Sequence, residues 1–160
     1  MAEDLRDEPR VAAAPDGESR PAVALSICLR CRDGREDEHD GVRGGARLAG
    51  AALRAGGGAC GQAVRGVHCL SQCKRPCAIA VSGADRFTYL FGDLDPDADA
   101  AAVVARAQRY AESAHGFMAR DARPLPMRAG VLGRVPPLGL RGDAVETVEF
   151  LSPTASETWP

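Results

Sequence analysis

Five of the six cysteines of this 160-residue chain fall into two tight groups, Cys28-Leu29-Arg30-Cys31 and Cys69-Leu70-Ser71-Gln72-Cys73-Lys74-Arg75-Pro76-Cys77. Thiols separated by two or three residues turn inward on one centre with little backbone distortion. Two such groups from distant segments supply the four soft donors that zinc or an iron–sulfur cluster takes. A fold for this chain has to bring the two segments together. Cys60, alone in Gly56-Gly57-Gly58-Ala59-Cys60-Gly61, reads as a bystander.

The reading of these thiols depends on the compartment. The acidic start, Met1-Ala2-Glu3-Asp4-Leu5-Arg6-Asp7-Glu8, lacks the basic and apolar regions of a secretory signal, and no later run approaches the roughly 20 apolar residues of a membrane span. A cytoplasmic protein is expected. There, clustered cysteines point to metal or redox chemistry more than to structural disulfides. The formal net charge of -2 gives no electrostatic reason to expect nucleic acid or an anionic membrane as partner, and 160 residues suit a single core with tails.

Turns and periodicity then place the clusters. Residues 1–20 carry charges and prolines with no apolar period and read as a disordered tail. Ala22 to Cys28 is a β-rich run that delivers Cys28 and Cys31 to its C-terminal end; Arg32 to Asp40 is a charged loop. Between Val42 and Ala55 a helix is expected, with Leu48, Ala52 and Leu53 on one face and Gly56-Gly57-Gly58 as its stop. Ala63 to Cys69 reads as a second strand, again ending at a cysteine. Ala78-Ile79-Ala80-Val81 and Arg86 to Phe91 are strands joined by Ser82-Gly83-Ala84-Asp85, a link short enough only for an antiparallel hairpin, with Phe87, Tyr89 and Phe91 on one face. Asp95-Pro96 starts a second helix that carries Val103, Ala107, Tyr110 and Ala114 at helical spacing and runs to about Ser113 or Gly116.

The order strand, helix, strand, strand, strand, helix predicts an α/β domain over residues 21–118. It is a four-stranded mixed sheet with two main helices in the thioredoxin-like arrangement. Arg123-Pro124-Leu125-Pro126 and Arg134-Val135-Pro136-Pro137-Leu138 are too rich in proline for regular structure, so residues 119–140 are expected to form an extended packing arm and 141–160 a flexible tail. Both first strands end at a cysteine of one parallel unit, so Cys28, Cys31, Cys69 and Cys73 should emerge at one edge of the sheet. Pro76 argues against a helix through the second cluster. Cys77 then opens the third strand on the face of Ile79 and Val81, equally a ligand or a buried apolar thiol.

These residues carry a resemblance. Val67-His68-Cys69-Leu70-Ser71-Gln72-Cys73, followed by a hairpin containing Phe87-Thr88-Tyr89 and a helix, resembles the C-L-G-x-C segment of thioredoxin-like [2Fe-2S] ferredoxins. More closely, the spacing Cys28-x-x-Cys31 and Cys69-x-x-x-Cys73-x-x-x-Cys77, with Tyr89-Leu90-Phe91-Gly92-Asp93-Leu94 and Arg134-Val135-Pro136-Pro137, resembles an uncharacterised bacterial family of predicted metal-binding proteins over about residues 23–138. The resemblance implies a thioredoxin-like ferredoxin fold, metal or [2Fe-2S] binding, and a link of family members to cobalamin-related genes. The chain departs from the ferredoxins in separating its first pair by only two residues and in having Cys77. Which four of the five cysteines bind, and whether iron or zinc, stay open.

Other residues carry weaker signals. Lys74 and Arg75 sit inside the second cluster, where they would moderate the charge of a thiolate site, steer an acidic redox partner, or be solvated loop residues. His39 lies in an acidic loop, His68 points away from Cys69 on a strand, and His115 suits a helix end. The glycines at 41 to 45 lack the Gly-Lys-Ser/Thr ending of a phosphate loop. Closing the segment from Cys31 to Cys69 costs about 3 kcal/mol of chain entropy. Structural metal sites supply on the order of 10 to 16 kcal/mol, so one shared centre offsets the closure easily.

The expected function is metal binding rather than enzymatic catalysis: a [2Fe-2S] electron carrier or redox sensor with thiolate ligands among Cys28, Cys31, Cys69, Cys73 and Cys77. The alternative is a zinc or cobalt carrier or structural module. The third reading is a thioredoxin-type dithiol oxidoreductase, for which Cys28-x-x-Cys31 after the first strand is suited but the second cluster is unexplained. The expected partner is a redox protein, and a homodimer is compatible with the sequence.

Overall fold

Alternating apolar residues at Val23, Leu25 and Ile27 make the first strand a central one, buried on both faces, with a strand paired on each side of it. The computed structural model describes residues 22–58, 62–140 and 145. Its strands are β1 (Val23–Cys28), β2 (Gln62–Val67), β3 (Ile79–Gly83), β4 (Thr88–Phe91) and β5 (Val131–Val135), and its helices α1 (Gly44–Arg54), α2 (Ala100–Glu112) and α3 (Leu125–Ala129). The sheet order is β2-β1-β3-β4-β5. β1 pairs parallel with β2 and antiparallel with β3, and β3-β4 and β4-β5 are antiparallel.

The mixed α/β class is as expected, but the sheet has a fifth strand. Residues 119–140 also supply α3, with Pro126 in its first turn, where a missing N–H costs nothing. β5 then occupies the free edge of β4, ending at Val135 just before Pro136 and Pro137, which cannot extend a ladder. The prolines thus bound these elements instead of excluding them. The expected tails and Cys60 lie outside the described residues, apart from Val145.

Register explains the core. Leu25 pairs with Val81 and Val81 with Tyr89; Ile27 pairs with Ile79 and Ile79 with Phe91. Paired residues share a face, so two cross-strand rows of fully buried side chains form one surface, with Tyr89 and Phe91 stacked at 5.9 Å. α1 and α2 pack on each other and on β1 and β2, burying Leu48 and Ala52 from one and Val103, Ala107 and Tyr110 from the other. Leu53, expected on the same face of α1, is 57% exposed because it lies well around the helix from Leu48 and Ala52.

α2 starts later than Asp95-Pro96 suggests. The Asp95 carboxylate does accept from the amides of Asp97 and Ala98, at 2.8 and 3.2 Å, but it caps an isolated turn, and the regular helix begins at Ala100. Among the described residues no helix is long and apolar enough to cross a membrane.

Candidate metal centre

β1 ends on Cys28 itself, and its chain turns at once: the Cys31 amide donates to the Cys28 carbonyl, and Leu29 N–H to Val67 of the neighbouring strand. The turn sits against the start of α1, and two glycines make that possible. A Cβ on Gly45 would lie 1.9 Å from the Cys28 carbonyl oxygen, and one on Gly44 2.9 Å from the Cys77 sulfur. Gly44 and Gly45 thus serve close packing of a helix on the thiol loop. β2 ends at Val67, two residues before Cys69, so the second cluster lies in the irregular segment between β2 and β3 and not at a strand end. β3 begins at Ile79, which likewise leaves Cys77 two residues ahead of its strand.

The five thiols are free and divide by depth: Cys28, Cys31 and Cys77 are buried, Cys69 and Cys73 exposed. The Cys31 sulfur accepts from the Ala78 amide at 3.3 Å. The Cys28 thiol faces the His68 carbonyl at 3.9 Å, which ties the first cluster to the residue before Cys69. The Cys69 sulfur accepts from the Ser71 amide at 3.1 Å.

Burial pushes the Cys31 thiol up to about 11; the Ala78 N–H opposes this, while Cys28 and Cys73 add to it. Burial, followed by the proximity of Cys31 and Asp33, pushes Cys77 up to about 12, against which Arg47 acts. Cys69 shifts the other way, lowered first by the Ser71 amide, with the Ser71 hydroxyl, Cys73 and Arg30 contributing in the same direction. Cys31 and Cys77 are therefore biased towards the protonated thiol and Cys69 towards the thiolate, and ligation by Cys31 or Cys77 must release a proton.

Arg75 pairs with Asp93, its Nε donating to the carboxylate at 2.6 Å, and Lys74 is exposed; Arg30, between the first two cysteines, is the charge that favours ionised Cys69. His39 lies 3.7 Å from an Asp97 carboxylate oxygen, and His68 is exposed. A further group carries no motif signature. Asp33 accepts from Arg35 at 2.8 Å and Arg47 at 2.7 Å, and both arginines reach on to Asp97, with Arg35 also bonding Asp95. This network fastens the loop after Cys31 to α1 and to the turn before α2. Its only trace in the sequence is the alternating charge of Arg32 to Asp40.

The donor set suits a soft metal in kind. As folded it is split into three inner and two outer thiols, and among the described residues no three cysteine, histidine, aspartate or glutamate side chains converge in metal-ligating geometry. The two clusters are nevertheless adjacent, since the Cys28 thiol faces the carbonyl of His68 and the Cys31 sulfur accepts from the amide of Ala78.

A family model described as a protein of unknown function, DUF1636, matches residues 25–137. No curated protein and no solved structure matches the chain.

Proposed function

As the chain belongs to the DUF1636 family, whose description assigns no activity, we propose from its own thiols that it is a metal-binding protein of the thioredoxin-like ferredoxin kind. In this reading it holds a [2Fe-2S] cluster through Cys28, Cys31, Cys69 and Cys73 and serves as an electron carrier or redox sensor. The observation that carries the proposal is the tie between the two clusters: the Cys28 thiol faces the carbonyl of His68, the residue before Cys69, at 3.9 Å, and the Cys31 sulfur accepts from the amide of Ala78, the residue after Cys77, at 3.3 Å. The sheet order supports it. β2-β1-β3-β4 with one parallel and two antiparallel pairings is the strand order a thioredoxin-like reading calls for, here without a helix between β2 and β3 and with β5 added at the edge.

A bound cluster would supply one-electron exchange. The residues around it would set its properties. The Ala78 and Ser71 amides donate to Cys31 and Cys69, and such N–H···S bonds stabilise thiolate charge. Arg30 offsets part of that charge at the exposed side, where a partner protein has access. Dithiol exchange fits less well. The attacking thiol of such a motif must be reachable and easily ionised, whereas Cys28 and Cys31 are each 4% exposed and Cys31 is pushed upward by burial.

Anaerobically purified protein is expected to be coloured, to contain iron and sulfide, and to bleach with dithionite, and Cys73→Ser is expected to lose the metal. A colourless protein with stoichiometric zinc overturns the cluster and leaves the zinc or cobalt carrier. Metal-free protein that reduces insulin disulfides overturns both. Full metal retention in Cys73→Ser refutes the ligand assignment.

A further inference from the structure

Arg106, Arg109, Arg123 and Arg128 line one cavity of about 380 Å³ between α2 and the segment that follows it. Arg35, Arg47 and Arg75 are all paired with aspartates, but among the described residues none of these four is in an ion pair. Neutral acceptors hold Arg106, Arg123 and Arg128 instead. Arg106 donates to the Ala122 carbonyl at 3.2 Å and rests its Nε on the Met118 sulfur at 2.8 Å. Arg123 donates twice to the Met118 carbonyl, at 3.1 and 2.7 Å, and lies over the Tyr89 ring. Arg128 donates to the carbonyls of Arg123 and Asp121, at 2.8 and 2.7 Å.

Arg106 is 6% exposed and Arg123 9%. Burying a guanidinium without a counter-charge is unfavourable, and like-charged neighbours make it worse. Desolvation, then repulsion from Arg109 and Arg123, lowers the Arg106 pKa accordingly. Asp121 is the one carboxylate on the wall, set against four guanidiniums. Among the described residues the positive charge of this wall is left largely unbalanced.

The chemistry of a balancing ligand follows from the donors. Guanidinium forks bind oxyanions in two-point fashion, and a phosphate group carries about two negative charges on three free oxygens, so it answers this excess better than a single carboxylate does. The volume lies at the low end of the roughly 300 to 1,000 Å³ of small-ligand pockets. It still exceeds what a bare phosphate fills, and Ala102, Ala105 and Pro124 offer an apolar wall for an organic remainder. We propose that this cavity binds a compact phosphate-bearing small molecule, its phosphate met by the exposed Arg109 and Arg128 and backed by the buried Arg106 and Arg123. No cysteine lines the cavity, so the proposal stands apart from the thiol centre.

The probe is pyrophosphate, titrated calorimetrically into the full chain at fixed ionic strength, with sodium acetate and sodium chloride as matched controls. Saturable one-to-one binding is expected for pyrophosphate alone. Arg109 is exposed and makes no hydrogen bond among the described residues, so Arg109→Glu should fold normally and weaken binding by about tenfold or more, the scale of one charged hydrogen bond. Arg106→Lys keeps the charge but not the fork, and should also weaken it. Absence of saturable heat at millimolar pyrophosphate, equal heats from the control salts, or unchanged affinity in Arg109→Glu each overturns the proposal.

Discussion

Asp33 shows how one side chain can organise the surroundings of a site without belonging to its motif. Partial burial opposes its ionisation, yet hydrogen bonds from Arg47 and Arg35 outweigh that and hold its carboxyl well below the usual carboxylate range. A carboxylate depressed in the folded state contributes stability that is complete above its unfolded value, about 3.9, and is lost as pH falls through the folded value. Wild-type protein is therefore expected to lose stability from about pH 4 downward more steeply than Asp33→Asn, while at neutral pH the variant is less stable by on the order of 1 kcal/mol, the scale of a solvent-screened network. Denaturant melts at several pH values check both. A variant that parallels wild type at every pH would remove the network from this role. The depth of the thiols belongs to the same scale and was not legible in the sequence. Spacing put Cys28, Cys31, Cys69 and Cys73 in one neighbourhood, but whether a thiol is buried or exposed depends on what packs over it, and that comes from Gly44, Gly45 and Ala78, which carry no cysteine pattern.

Among the elements, β1, the β3-β4 hairpin and α1 were readable because each rests on local signals: alternation, a link too short for any other turn, and an alanine- and leucine-rich run closed by glycines. β5 was not. It is a short edge strand whose partner lies far back in the sequence, and neighbouring prolines masked it. The start of α1 illustrates how packing reverses local preference. Gly→Ala inside a helix ordinarily gains about 0.5 to 1 kcal/mol, and Gly50→Ala should do so, since its Cβ would meet only the flexible end of Arg54. At Gly45 the same change drives a methyl into the Cys28 carbonyl, a backbone atom held in the sheet. Gly45→Ala is expected to cost about 2 to 3 kcal/mol, the upper part of the range for overpacking, and to disturb metal loading together with stability. Thermal melts of the two variants side by side test the contrast, which fails if both shift in the same direction.

For the whole molecule, the five strands divide the work. The end of β1, the turn after it and the segment between β2 and β3 carry the described thiols, whereas β5 covers the outer edge of β4 and carries none. A chain ended after Gly130 keeps the thiol segments but leaves β4 as an open edge beside Tyr89 and Phe91, the kind of edge that templates association. It is expected to bind the same metal per chain as the full protein, to melt several degrees lower, and to scatter light at concentrations where the full chain does not. Loss of metal together with β5 would show that the sheet cannot be divided in this way.

The partition of the thiols along the sheet has a kinetic consequence. Cys28 and Cys31 hang from β1, which has neighbours on both sides, while Cys69 and Cys73 follow β2, paired on one side only and partly exposed along its length. Edge segments open at a fraction of the free energy needed to unfold a central strand. A metal held between the two halves would then be loaded last, and released first, at the outer pair. Its exchange would be timed by fluctuations of one edge and could proceed while the rest of the protein stays folded.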